Sequence, residues 1–535
     1  MFFSSFIVRT RTYTAEFRIR WIDASPDTYK RPILSINNQF PAPTIIVERG
    51  DTINITVINE SQEPTAIHWH GLLQRNTLHM DGVPGVTQCS ILPNQSYVYT
   101  FSTSNQSGTY WYHSHFSIQY GDGLRGALVI KDPNDPWKKY YNDEDILQLT
   151  DWYHIPLYIL LKPYLNPGTM DPVPDTGLIN GIGQFNCTLS NPCSYYRATI
   201  REGTTKRYCI INTSVYATIT LTIDQHDMRV IEADGISLDG KKYVRSLRLN
   251  PGQRYSVLII AKQNPASSYW IRVIIHSFVD DSGKYIAPIQ PNVRAVLQYI
   301  NEKNINVSII IPSMDTFNND ENIIQKSLID GQIMSDESGL SPINIAENRV
   351  PTSEKIKTFI FNSQFRGGRP GYFYFNNATF IHPINTSLLS SLLFDNFEQL
   401  TSSWIINIDS DEIIDVIINN IDYGSHPFHL HGHHAWLLAS GQARDGYFNE
   451  STRINIVYNT INPVYRDTYT VNPFSYIVFR FKADNPGIWM MHCHNDWHLQ
   501  LGMALVFVES PQKVKDYYFN HNSKSNIPSH CQHHY

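Results

Sequence analysis

The stretch 491–503, MHCHNDWHLQLGM, gathers His492, Cys493, His494, His498 and Met503 within one short segment. In an extended chain, residues i and i+2 share a face and i+1 takes the other. His492 and His494 therefore point one way and Cys493 the opposite way. A thiolate, two imidazoles and a weak thioether form the donor set of an electron-transfer copper centre. Cys493, His498 and Met503 supply three of these donors. His426, three residues before His429 and so out of phase with it, is the expected fourth. One strand would then carry a thiolate to one metal and two imidazoles to another group, on the order of 10 Å away.

Three further motifs repeat the His-x-His spacing. HWHG holds His68 and His70, HSH holds His113 and His115, and HPFHLHGH holds His426, His429, His431 and His433. With His492 and His494 these make four converging pairs, and over half of the 21 His fall in the clusters. A single His is most simply a structural residue; four pairs in strand-like flanks are not explained that way. Imidazole suits Cu, Zn, Fe or Ni, although zinc rarely takes so many imidazoles without a carboxylate or thiolate. The pairs thus predict a cluster of several metal ions.

Strands must position these groups. PTIIVERGDTINITVIN, QSYVYTFSTS, TITLTIDQHDMRVIEADG and FSYIVFRFKA alternate apolar and polar residues between Gly and Pro turns. Aromatics make up 13% of the chain, and β-branched residues are plentiful, which also favours strands. The pattern predicts an all-β protein of three β-sandwich domains, over 1–135, 140–310 and 351–535, with a polar connector at 311–350. GTYWYHSHFSIQYGDGLRGALVI and GIWMMHCHNDWHLQLGMALVF share a layout, so the first and last units look internally related.

A net charge of −6 without a basic run excludes a nucleic-acid partner of the usual kind. No apolar run is long enough to span a membrane. The start resembles at best a shortened secretory leader. Sequons open at Asn54, Asn59, Asn94, Asn105, Asn186, Asn306, Asn377, Asn385 and Asn449 and support an extracellular, glycosylated protein. If Cys493 binds metal, five of the six Cys remain, enough for two disulfides and one free thiol. Oligomeric state is not legible.

The four His motifs closely resemble those of the multicopper oxidases: laccases, ascorbate oxidases and fungal iron oxidases. The resemblance spans the chain. It implies three cupredoxin-like Greek-key β-sandwiches and four copper ions, one type 1, one type 2 and two type 3. Single electrons enter at the type 1 ion, and O2 is reduced to water at the other three. Carried over by motif, type 1 copper takes His426, Cys493 and His498 with Met503 axial. Type 2 takes His68 and His429. The type 3 ions take His70, His113 and His494, and His115, His431 and His492. The resemblance also implies that Asp81 and Asp496, beside the motifs, relay protons, the alternative being that they orient the His rings as acceptors; Cys493 is the electron conduit. It pairs Cys89 with Cys531 and Cys187 with Cys193, leaving Cys209 free.

The donor is less legible. A laccase-like oxidase of phenols or aromatic amines leads, with Fe2+ and ascorbate as alternatives and a copper-storage protein as the non-enzymatic rival. Storage needs many ligands but no ordered thiolate–thioether site. Asp422 stands four residues before His426, as in iron oxidases, but its Asp-Tyr-Gly setting also suits a turn. Iron oxidases carry a second acid in the middle domain; the register puts Thr199 there, with Glu202 nearby.

Overall fold

In a computed structural model, the described residues are 10–166, 168–188, 192–263, 267–276, 278–279, 284–301, 308–312, 333–334, 339–343, 349–366, 372–383, 386–394, 402–449, 451–521, 523, 527–528 and 531. Their strands form three pairs of larger sheets and one two-stranded sheet. The strand Thr52–Asn59 shows why: in TINITVIN every second residue is buried, so Ile53, Ile55 and Val57 line a core while the Thr residues face outward. In the first sandwich this sheet packs on a second one ordered Ile45–Glu48, Arg125–Lys131, Gly108–Ser114, Ile67–His70. Ile53, Ile55 and Phe101 from one sheet meet Trp69, Tyr112 and Leu128 from the other in one core.

The middle sandwich is built the same way around Leu147, Tyr208, Val257 and Ile271. The stretch 311–350 lies mostly outside the described residues. Part of it is not a bare connector, because Ile333–Met334 pairs in parallel with Ser246–Leu249. The third sandwich contains the order Ile405–Ile408, Ala504–Glu509, Gly487–Cys493, His426–Leu430, Thr468–Val471. Strands Gly487–Cys493 and His426–Leu430 are buried throughout. One apolar cluster joins Trp111 and Tyr120, Tyr153 and Val215, and Cys493 and Met503 across all three units.

Cys89 and Cys531 are bonded, 442 residues apart, and Cys187 pairs with Cys193; among the described residues Cys209 and Cys493 are free and buried. The long-range bridge ties Cys531, downstream of the helix Pro511–Asn520, to the first sandwich, which that helix also meets through its Tyr518 hydroxyl, 2.7 Å from His79 Nδ1. Cys89→Ser is expected to cost about 2–4 kcal/mol by freeing this closure in the unfolded chain. Calorimetry without reductant should show a lower Tm, and an unchanged Tm would refute the bridge's stabilising role.

The sequons do not stand alike. Asn59 is fully buried, and its amide donates to the carbonyls of Glu63 and Ile91, so it is no glycan acceptor. Asn94, Asn105, Asn186, Asn377 and Asn449 are exposed, and Asn54 is half-buried. Asn306 and Asn385 lie outside the described residues. Among the described residues no helix is long and apolar enough to cross a membrane.

Candidate metal centres

Strand pairing brings the His motifs together. His68 lies opposite His113 in the antiparallel pair Ile67–His70 and Gly108–Ser114, and His429 lies opposite His492 in the third sandwich. The two pairs meet between the first and third units. Ligand atoms lie within 4.8 Å of one another in the groups His68–His70–His429, His70–His113–His494 and His115–His431–His492. His431 Nε2 is 3.2 Å from His492 Nε2, and His494 Nε2 is 3.2 Å from His70 Nδ1.

In most of these rings the other nitrogen is already engaged. His68 Nδ1 meets the Asp81 carbonyl at 2.6 Å, His113 Nδ1 the Ser114 carbonyl at 2.9 Å, and His492 Nδ1 the Cys493 carbonyl at 2.9 Å. His431 Nδ1 meets Asp81 Oδ2 at 2.9 Å, and His429 Nδ1 the Asp467 carbonyl at 3.2 Å. His70 is turned the other way, with Nε2 on Asp467 at 3.3 Å and Nδ1 facing the group. Such partners fix the tautomer and aim the remaining lone pair inward. His68 Nε2, His113 Nε2 and His429 Nε2 are buried without any hydrogen-bond partner. Burial, helped by neighbouring imidazoles, holds His113, His115, His492 and His494 well below the ordinary imidazole range, and brings His431 to about 3. Buried, neutral, unpartnered and convergent nitrogens cost free energy unless a cation meets them. The donor set therefore fits copper.

The second group forms on the far side of the same strand. Cys493 Sγ lies 3.7 Å from both His426 Nδ1 and His498 Nδ1, and these two nitrogens are 3.1 Å apart. The strand ends at Cys493, and a short helix, Asp496–Gln500, turns His498 back toward the sulfur; Asn495 caps it through the Trp497 amide. Met503 is fully buried, and its carbonyl accepts from the Cys493 amide at 3.0 Å. Burial would raise the Cys493 thiol, but His426 and His498 outweigh it and bring it down to about 7.

Both rings present Nε2 to a carboxylate. His426 Nε2 lies 2.8 Å from each oxygen of Asp422. Asp422 also takes the Gly424 amide at 3.0 Å, so the turn reading and the site reading both hold for it. His498 Nε2 lies 3.0 Å from Asp171 Oδ2, and Tyr164 donates to Asp171 Oδ1 at 2.7 Å. Burial opposes both rings' protonation, but Asp422 raises His426 to about 10 and Asp171 raises His498 to about 9. Asp171 is the middle-domain acid that the sequence register missed. Thr199 sits instead in strand Tyr196–Arg201, where its carbonyl accepts from Lys206 Nζ, and Glu202 is exposed in the turn beyond. Nothing in NPGTMDPVPD marks Asp171 beforehand; the short helix Leu157–Tyr164 and the loop after it carry it to His498.

The two acids beside the motifs differ. Asp81 is buried among imidazoles; desolvation would raise it, but His431 and His68 hold it well below the carboxylate range. Asp496 is raised by burial to about 8, takes Gln500 Nε2 on Oδ1, and leaves Oδ2 without a partner. It lines a small cavity with His113, His115, Tyr120, His492 and His494. His433 lies outside the groups, 3.0 Å from Glu509.

Family profiles described as multicopper oxidase match residues 18–135, 143–302 and 372–513. The chain is 31% identical to the iron transport multicopper oxidase FET5 of Saccharomyces cerevisiae, over 98% of this chain and 84% of that one. It is 32% identical to Laccase-1 of Agaricus bisporus, over 95% and 92%. The crystal structure of Fet3p, a multicopper oxidase that functions in iron import, superposes with a TM-score of 0.80 at 28% identity, covering 97% of this chain and 96% of that one. With geometry, profiles and relatives in agreement along nearly its whole length, the chain belongs to the multicopper oxidases, copper-dependent oxidoreductases that hold four copper ions and use O2 as acceptor.

Proposed function

We propose that this enzyme is an iron(II) oxidase that turns over 4 Fe2+, O2 and 4 H+ to 4 Fe3+ and two waters. The observation that carries the reading is the pair of carboxylates, Asp422 and Asp171, one on each imidazole of the Cys493 group. In this reading His426, Cys493, His498 and Met503 hold the type 1 ion. His68 and His429 hold type 2, while His70, His113, His494 and His115, His431, His492 hold the type 3 pair. Copper held by these residues would supply one-electron acceptance beside Cys493 and four-electron reduction of O2 at the His cluster.

The protein's own groups do the rest. Side chains of Asp422 and Asp171 are 17% and 24% exposed, whereas those of His426 and His498 are 1% and 6% exposed. Solvent iron reaches the carboxylates before the rings. Hard oxygen donors prefer Fe3+ to Fe2+, which favours loss of the electron. Each imidazole then bridges a carboxylate at Nε2 to the sulfur side at Nδ1. Asp81 serves as a fixed acceptor that orients His68 and His431. Asp496, with a free oxygen on the cavity, supplies protons toward the cluster. The iron-related names of several relatives support the same reading. Two disulfides and exposed sequons support an oxidising, extracellular setting.

The test compares Fe2+ with a diphenol in wild type and in Asp171→Ala/Asp422→Ala. Loss of two such contacts is expected to lower kcat/KM for Fe2+ by about 10–100-fold. The diphenol value should change much less. Equal losses on both substrates, or a wild type that turns over the diphenol but not Fe2+, would replace this reading with the laccase-like one.

A further inference from the structure

The middle sandwich contributes none of the clustered His, yet it reaches the His groups. Gly252 packs so tightly there that a Cβ would stand 2.8 Å from His494 Cδ2 and 3.1 Å from His70 Cε1. Two residues on, Arg254 is fully buried. Its guanidinium grips Asp467 of the third unit through both terminal nitrogens, at 2.7 Å each. Its Nε donates to the Thr109 carbonyl of the first unit at 3.2 Å. Asp467 in turn faces the cluster: its Oδ1 is 3.3 Å from His70 Nε2 and 3.4 Å from His429 Nδ1, and its carbonyl accepts from His429. Behind it, Asp234 accepts from the Arg254 amide at 2.8 Å and from the Arg466 guanidinium at 2.8 and 2.9 Å.

We propose that Arg254 is a positioning residue for the copper cluster: its two-pronged grip on Asp467 sets the orientation of His70 and His429. This rests on the ligand assignment above. Two features carry it. A fully buried ladder of two cations and two anions gives little net stability against an apolar replacement, because desolvation offsets the attraction. Its worth lies in geometry, and a planar fork fixes a carboxylate's plane in a way a lysine ammonium cannot. The chain is also shaped around the grip. Gly71, directly after His70, leaves no room for a side chain, since a Cβ would stand 2.5 Å from the Arg254 guanidinium and 2.8 Å from Asp467.

The test is Arg254→Lys beside Arg466→Lys, a ladder residue that holds Asp234 rather than Asp467. Copper per chain, the type 2 EPR signal and the blue absorption are read on each purified, copper-loaded protein. Arg254→Lys is expected to keep the blue band but to weaken copper retention at the cluster by about 10–100-fold in chelator competition, with a shifted or lost type 2 signal. Arg466→Lys should lower Tm yet leave the type 2 signal as in wild type. If Arg254→Lys does not fold, Asp467→Asn tests the same contact with the same expected readout. A type 2 signal and copper retention unchanged in Arg254→Lys, or altered equally in both lysine variants, would overturn the proposal. A wild type lacking four coppers would instead sink the ligand assignment.

Discussion

Cys493→Ser is expected to leave O2 uptake at background with every reductant, to abolish the blue colour and to lower bound copper from four ions to three. The argument starts from the chemistry of sulfur. The intense colour and fast electron transfer of such centres depend on a copper–thiolate bond, and a serine hydroxyl stays protonated at neutral pH and donates weakly. The rest of the site survives, because Ser is nearly isosteric and the backbone contacts around it remain: the residue-493 amide still meets the Met503 carbonyl, and Phe428 still lies opposite it. His492 and His494, on the other face, keep their partners, so the cluster ions should stay bound. Absorption spectra, metal analysis and oxygen-electrode traces check the three parts separately. A variant that keeps its blue band, or consumes O2 at more than a small fraction of the wild-type rate, would contradict the role given to this strand.

Gly82→Ala is expected to cost about 3–5 kcal/mol, or to prevent folding outright, which puts it among the rare severe single substitutions. Gly82 has a φ of +86°, a conformation L side chains rarely adopt, and its missing Cβ would lie 1.8 Å from the Ile67 carbonyl oxygen and 2.9 Å from His68 Cα. Both obstacles are backbone atoms of the His68 strand, so no side-chain rotation relieves them. The neighbour Asp81 must hold His431 and His68 at the same moment. Any shift that makes room for a methyl group therefore moves a carboxylate or a copper-facing imidazole. Denaturation midpoints and copper content should fall together. A variant with wild-type Tm and full copper would show that this turn is looser than its contacts imply.

The reading of the two carboxylates shows how far local patterns reach. His-x-His spacing was informative because strand alternation is a property of adjacent residues, so the pairing of imidazoles on one face and the isolation of Cys493 on the other need no fold to be read. Asp422, four residues from His426, was legible through the resemblance to iron oxidases, which carry an acid at that spacing. Asp171 was not, because its partner His498 is 327 residues away and the loop that carries it has no periodic pattern. The register argument chose Thr199 instead, a residue whose strand turns into the middle sandwich. Arg254 and Asp467, 213 residues apart, were equally silent.

By itself, then, the amino-acid sequence determined the kinds of donor side chain, the same-face pairing of His-x-His in an extended chain and the all-β class, since these follow from residue chemistry and a two-residue repeat. Only the tertiary structure decided which groups share one site, which nitrogen of each ring faces the group, which acid sits among the imidazoles and which lines the cavity, and that the His-poor middle unit reaches the cluster. Those outcomes depend on burial and on contacts between distant segments, which exist only once the three sandwiches have closed on one another.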